Sequence, residues 1–182
     1  MHFRLLENGV NLIFFLVFIA ALLVYPAVQR KIQVQLWHLW NGNETKLQEY
    51  EIPVPMRWIA DQTIPGTVAL VEVGTHRTRG SFTSTIVVSK TGARKDVNSG
   101  SPWTEQSLTL QGAQVLDRQT IGFDGEKADC IISNALTHRR HVPDDKIISI
   151  ECESTAGLSI SFNGHNEHVD TFFSVVSQIR KQ

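Results

Sequence analysis

The stretch VLDRQTIGFDGEKADCIISN, residues 115–134, decides the fold of this chain. At its centre stands Asp124-Gly125, a dipeptide that favours a two-residue hairpin turn because both residues tolerate positive φ angles. The flanking segments, Val115–Phe123 and Glu126–Asn134, are rich in strand-forming residues. The stretch therefore predicts two antiparallel strands joined by a tight turn.

A third strand is predicted at residues 146–153, after the loop THRRHVPDD. If this second hairpin centres on His141, Cys130 lies opposite Cys152 and the isoleucines two positions away are also paired. A slip of one residue would turn the apolar side chains of one strand outward, so burial fixes this register. The two cysteines are then cross-strand neighbours, and a disulfide is expected in an oxidising compartment. Two buried free thiols are the alternative for a cytosolic domain.

Other segments complete an α+β pattern. Strands are predicted over residues 31–40, 47–55, 67–74 and 82–89 and from Leu158 onward. Ser101-Pro102 suits the start of a short middle helix that ends near Gln111. Residues 166–181 place apolar side chains at helical spacing, with acids in the first turn and Arg180 and Lys181 in the last. We therefore expect an antiparallel sheet with a middle helix and a C-terminal amphipathic helix packed on it.

The N-terminal part is apolar. Residues 9–28, GVNLIFFLVFIAALLVYPAV, contain no charge and one polar side chain, Asn11. A helix of this length spans about 30 Å, the thickness of the hydrocarbon core. We expect a single-pass anchor in residues 1–31 and a soluble domain in residues 32–182. A cleaved signal peptide is the alternative, although Tyr25 is too large for the −3 position of a cleavage site.

Charge and cysteine content bear on location and partners. Positive charges balance at the two ends of the apolar segment, so they do not orient it. The expected disulfide favours an extracytoplasmic domain, periplasmic or extracellular. The formal net charge is −1, whereas nucleic-acid-binding proteins usually carry an excess of basic residues. Nucleic acid is therefore not an expected partner.

Four histidines form two H-x-x-H pairs, His138 with His141 and His165 with His168. Neutral imidazoles bind zinc or copper, so the alternative function is a metal-dependent or hydrolytic enzyme at this His-rich end. The first pair lies in a predicted loop beside two arginines, which would repel a cation, and the second pair straddles the start of the terminal helix. We expect surface histidines and no metal.

The search for catalytic motifs is negative. The sequence contains no nucleophile elbow, phosphate-binding loop, zinc-protease motif or dinucleotide-binding glycine triplet. We therefore predict no catalytic residue and no cofactor.

Basic loops and tryptophans are the remaining candidates for binding. Arg77 and Arg79 lie in one predicted loop, and Arg139 and Arg140 lie in another. Because arginine forks onto carboxylate or phosphate, these loops are candidate sites for an anionic partner, with solvated hairpin tips as the alternative. Trp37 and Trp40 are expected in the core or near the membrane, and would indicate a partner surface if they are exposed.

Three stretches resemble the PsbP/DcrB-like superfamily: IPVPMRWIADQT at residues 52–63, IGFDGEKADCIIS at residues 121–133 and VDTFFSVVSQIRK at residues 169–181. The resemblance covers about residues 47–181. It implies an antiparallel sheet with helices packed on it, no shared catalytic residues, and an extracytoplasmic accessory or assembly role. Members are often lipoproteins, whereas this chain has no lipobox cysteine after its apolar segment. The expected function is therefore that of a membrane-tethered extracytoplasmic accessory protein that acts through protein–protein contacts.

Overall fold

A computed structural model describes residues 28–73, 83–90, 113–134 and 147–182. Except for residues 28–31, the predicted anchor segment lies outside these residues, as does the predicted middle helix. Within the described ranges, no helix is long and apolar enough to cross a membrane. The boundary at residue 31 falls inside a helix, and the division into anchor and domain stays a prediction.

Two antiparallel sheets and two helices make up the described chain, in agreement with the predicted α+β class. The helices are α1 (residues 28–41) and α2 (Val169–Ser177), the second preceded by a 3-10 turn at Asn166–His168. The strands are β1 (Glu44–Leu47), β2 (Tyr50–Pro53), β3 (Trp58–Asp61), β4 (Thr67–Glu72), β5 (Thr85–Lys90), β6 (Val115–Phe123), β7 (Glu126–Asn134), β8 (Ile147–Ser154), β9 (Leu158–His165) and β10 (Arg180–Lys181). The larger sheet has the order β3-β4-β5-β9-β8-β7-β6, and the smaller has the order β1-β2-β10.

The central hairpin forms as predicted. Strands β6 and β7 have the predicted bounds, and the turn residues Asp124 and Gly125 have φ angles of 46° and 80°. Positive φ at both positions is the requirement of a type I′ turn, which Asp-Gly satisfies. On the other side of β7, Cys130 lies opposite Cys152. The predicted register of β7 and β8 is therefore confirmed.

Helix α2 covers the apolar face of the larger sheet. Phe172 and Val176 are fully buried on the helix, and the ring of Phe172 lies 5.6 Å from that of Phe162 on β9. Residues three and four apart share one helix face, so these side chains, Val175 and the following Ile179 enter one core. This packing confirms an amphipathic terminal helix docked on the sheet.

The predicted end of the terminal helix is wrong. The helix ends at Ser177, and Arg180 and Lys181 belong to β10, which pairs with β2. The backbone N–H of Lys181 donates to the Asp124 carboxylate at 2.7 Å. Because the chain leaves the helix after Ser177, Ile179 is buried and the backbone groups that follow pair in a β-ladder. These gains outweigh the favourable interaction that two basic side chains would make with the helix dipole.

The prediction of a strand over residues 31–40 is also wrong, since these residues lie in α1. Alternation of apolar and glutamine residues suggested a strand, but the side chains that face the domain are Val34 and Trp37. A spacing of three residues matches the helical period. Burial of that pair therefore selects the helix.

The predicted strand over residues 47–55 is divided in two. Leu47 ends β1 and Tyr50 begins β2, with Gln48 in the intervening turn at a φ of 55°. Pro53 stands at the end of β2. The following strand, β3, has four residues and was not predicted, because so short a segment shows no clear alternation.

Candidate functional site

Helix α1 has two apolar sides, and one of them faces away from the domain. Val34 is buried, with 8% of its surface exposed, and Trp37 packs against the core. Five other large apolar side chains on the helix are exposed and form what we term the apolar stripe: Val28 (43%), Ile32 (48%), Leu36 (44%), Leu39 (76%) and Trp40 (81%). Their spacing of three and four residues aligns them along the helix. The stripe therefore presents a continuous apolar surface outside the core.

His38 links α1 to the domain. Its Nε2 atom lies 3.1 Å from the carbonyl oxygen of Trp58, the first residue of β3. Its Nδ1 atom lies 3.1 Å from the carbonyl oxygen of Gly42 in the turn that follows the helix. In addition, the Asn41 side chain donates to the Trp37 carbonyl at 2.9 Å. Of these contacts, the one between His38 and Trp58 ties α1 to β3 and, with the packing of Trp37 on the core, holds the stripe facing outward.

We predict that His38→Ala loosens α1 without unfolding the sheet. The substitution removes up to two hydrogen bonds, each worth about 0.5–1.5 kcal/mol net. Hydrogen exchange of the α1 amides should become faster, while exchange in β7 and β8 should stay unchanged. Gln35→Ala, at an exposed position of the same helix, is the control. Equal α1 exchange rates in both variants would contradict a role for His38 in docking the helix.

The second candidate surface is the outer edge of the larger sheet. Strand β6 is the last strand, pairs with β7 among the described residues, and is exposed from residue 116 to residue 120. In a hairpin with a two-residue turn, the residue pair that flanks the turn is hydrogen-bonded, and here that pair is Phe123 with Glu126. Hydrogen-bonded and non-hydrogen-bonded pairs then alternate along the two strands. The N–H groups of Thr120 and Gly122 therefore point away from β7, whereas that of Arg118 donates to the Asp117 carboxylate at 2.8 Å. This edge can accept another extended segment.

The disulfide agrees with that alternation. Cys130 and Cys152 are bonded, and their Cα atoms lie 4.0 Å apart. Such a short separation is typical of a non-hydrogen-bonded pair, so the backbone of Cys130 makes its hydrogen bonds on the β6 side, to Gln119. The N–H and C=O groups of the neighbouring Thr120 then lie on the side of β6 that faces away from β7.

A groove of about 610 Å³ lies beside this edge, on the face of the sheet that α2 does not cover. Its lining includes Arg118, Thr120, Asp129, Glu151 and Glu153. Three of these groups are carboxylates and one is a guanidinium, so the lining is acidic on balance. The Thr120 hydroxyl donates to Asp129 at 2.8 Å, which orients that carboxylate. The groove therefore suits an extended ligand that carries basic side chains.

The two histidines of the second pair make separate contacts. His165 ends β9, and its N–H donates to Ser84 Oγ at 3.0 Å. His168 lies against the ring of Trp58 and 3.8 Å from the carboxylate of Glu72. In the described ranges, no group of three or more His, Cys, Asp or Glu side chains is arranged to hold a metal ion.

The other predicted site residues lie outside the described residues. They are His138 and His141 of the first histidine pair and the basic-loop residues Arg77, Arg79, Arg139 and Arg140. The hypotheses of a metal site and of anion-binding loops therefore stay predictions.

Two carboxyl groups on the described surface have lowered pKa values. A backbone hydrogen bond, followed by one from Lys90 at 3.0 Å, lowers the pKa of Glu49. Hydrogen bonds from the hydroxyl and backbone N–H of Thr63 lower the pKa of Asp61. Neither carboxylate lines the groove, so neither shift bears on that candidate surface.

Most of this arrangement was not predicted from the sequence. Trp40 was named as a partner residue if exposed, and it is exposed, whereas its neighbour Trp37 is partly buried. The spacing of Ile32, Leu36 and Leu39 was a usable helical signal that the local alternation hid. For the β6 edge there was no local signal, because the order of strands in a sheet is set by long-range pairing.

Comparisons with known proteins give limited information. No protein-family profile and no curated protein matches the chain. Among solved structures, the chain is similar to the solution structure of cyanobacterial PsbP (CyanoP) from Synechocystis sp. PCC 6803, at 16% sequence identity and a TM-score of 0.41, over 74% of this chain and 87% of that one. At this identity and TM-score the similarity assigns neither an activity nor a partner.

Proposed function

We propose that this chain is a membrane-tethered accessory protein whose domain lies outside the cytoplasm and binds an extended segment of a protein partner. The proposal assigns residues 1–31 to the anchor, residues 32–182 to the domain, and no catalysis to either. The observation that carries it is the exposed edge of β6, where the backbone N–H groups of Thr120 and Gly122 point outward beside an acidic groove. Addition of a strand to such an edge is a common mode of peptide recognition.

Two features support the location. The apolar run over residues 9–28 is long enough to span a bilayer. The disulfide between Cys130 and Cys152 supports an oxidising compartment, because reducing systems keep thiols free in the cytosol. Together they favour a domain held at the outer face of a membrane.

The chemistry of the partner follows from the groove. Asp129 lies on β7, next to the edge strand, and Glu151 and Glu153 lie on β8, one strand further in. Arg118 is the basic group in the same lining. A segment added to β6 would place alternate side chains over this face. We propose that the bound segment carries Lys or Arg at those alternate positions.

The edge can be tested with one pair of variants. Thr120→Pro removes an outward N–H and keeps the hydrogen bonds to β7, a change that edge positions tolerate. Thr120→Val removes the bond to Asp129 and keeps the N–H. Tagged full-length wild type and both variants would be purified from native membranes, and every co-purified protein quantified. We expect a partner that is retained by wild type and Thr120→Val and is lost with Thr120→Pro.

Thermal unfolding of the purified variants separates binding from folding. Thr120→Pro should unfold within a few degrees of Thr120→Val, since each is an edge substitution. If Thr120→Pro is folded and still retains every protein that wild type retains, the β6 edge is not the contact surface.

A further inference from the structure

We propose that the apolar stripe of α1 lies in the interface of the membrane that tethers the chain, with lipid as its occupant. In this arrangement α1 is a platform that sits between the bilayer and the domain and sets the orientation of the domain. The inference rests on the tether of the proposed function but not on the partner segment at β6.

The first step is the exposure of the stripe. Leu39 and Trp40 are 76% and 81% exposed, and Ile32 and Leu36 are each nearly half exposed. Single exposed apolar residues are common on protein surfaces, whereas a contiguous set on one helix face marks a contact with another apolar phase. The stripe therefore calls for an occupant other than water.

The second step is that the domain holds the stripe outward. On the opposite side of α1, Trp37 packs against the core and Val34 is buried, and His38 contacts the carbonyl oxygen of Trp58. The helix cannot rotate to bury the stripe without losing these contacts. The occupant must therefore approach from the side opposite the domain.

The third step identifies the occupant from the position of the stripe in the chain. The stripe begins at Val28, the last residue of the uncharged segment at residues 9–28. The following turn carries Arg30 and Lys31, and the stripe ends at Trp40. Basic residues on the flank with Leu, Ile and Trp on the other face are typical of helices that lie in the headgroup region. A helix that starts where the chain leaves the bilayer is already at that depth.

The size of the stripe argues against a second copy of the chain. From Val28 to Trp40 the stripe is about 18 Å long, and a helix is about 10 Å wide. Such a footprint is far smaller than the roughly 800 Å² that each partner buries in a stable protein interface. A lipid surface needs no complementary shape, so the stripe alone is sufficient to engage it.

The test uses the full-length chain and one introduced thiol at a time. Because Cys130 and Cys152 form a disulfide, a cysteine placed at Leu39 or Trp40 is the thiol that a nitroxide label would modify. Gln178→Cys, on the exposed end of α2, is the matched control. Each labelled chain is reconstituted into vesicles of phosphatidylcholine and phosphatidylglycerol. Collision rates of the label with oxygen, which concentrates in lipid, and with a water-soluble nickel chelate then report its depth.

We expect the labels at positions 39 and 40 to lie about 5–10 Å below the headgroup surface, the usual depth of an interfacial helix. The label at position 178 should collide freely with the nickel chelate. Equal nickel collision rates at positions 39 and 178 would place the stripe in water and overturn the proposal. Spin–spin broadening that disappears on dilution with unlabelled chain would identify a second copy instead, and low collision rates with both reagents would mean burial in protein.

Carbonate extraction of the same vesicles tests the tether separately. A chain that resists extraction has a spanning segment, whatever the depth of the labels. Release by carbonate together with lipid-facing labels would reject the tether and leave the stripe as an interfacial helix. Resistance to carbonate together with water-exposed labels would leave the tether and reject the stripe.

Discussion

Replacing Phe172 with Ala should lower the free energy of unfolding by about 3–5 kcal/mol, because truncation of a buried Phe loses both transfer energy and packing. The side chain is fully buried, with its ring 5.6 Å from Phe162 and 5.3 Å from Phe173. It therefore connects α2 with the centre of the larger sheet. Since small domains are stable by about 5–15 kcal/mol in total, this single loss is a large fraction.

Chemical denaturation monitored by circular dichroism measures the effect. Gln178→Ala, at an exposed position of the same segment, should change the midpoint little, and Phe173→Ala should fall between the two because Phe173 is partly buried. A Phe172→Ala midpoint equal to that of Gln178→Ala would show that α2 is not docked on the sheet in solution.

The parts of the fold that were predicted correctly carry strong local signals. Asp124-Gly125 determined the turn between β6 and β7, and burial of the alternating apolar residues determined the pairing of Cys130 with Cys152. Both signals act within about twenty residues, where the turn and the two faces of a strand leave one register. The spacing of Phe172, Val176 and Ile179 likewise located α2 on the core.

The parts that were predicted wrongly depend on contacts between distant segments. Residues 31–40 carry an alternating pattern, yet burial of Val34 and docking of Trp37 on the core make them a helix. Strand β10 exists because the last residues reach β2, about 130 positions earlier. Neither contact has a local signature, and tertiary packing overrides local preference in both segments.

The candidate surfaces show the same division. The sequence indicated Trp40 as a possible contact residue but placed it in a strand, so the stripe was not recognised. The groove joins Arg118 and Thr120 of β6, Asp129 of β7 and Glu151 of β8. These residues come together because of the registers of two hairpins. The outward direction of the Thr120 N–H matters only because β6 is the last strand in the described order of the sheet. A function based on that edge could not be inferred before the sheet order was known.

Removal of the disulfide should lower the free energy of unfolding by about 3 kcal/mol, from the entropy that a cross-link removes from the unfolded chain. The two cysteines are 22 residues apart in sequence and bridge the adjacent strands β7 and β8, near the β6 edge of the larger sheet. The variant is Cys130→Ala/Cys152→Ala, and its free energy of unfolding is compared with that of oxidised and reduced wild type. Reduced wild type is the matched control for packing, because it keeps both sulfur atoms and lacks the cross-link.

Reduced wild type and the double variant should have similar stabilities, both well below that of the oxidised protein. If reduction has no effect and the double variant alone is destabilised, the sulfur atoms contribute through packing in the core. The state of the thiols in the cell tests the location at the same time. Alkylation of denatured protein taken from intact cells should label neither Cys130 nor Cys152 before reduction and both afterwards. Two thiols labelled without reduction would place the domain in a reducing compartment, and the proposed extracytoplasmic location would have to be abandoned.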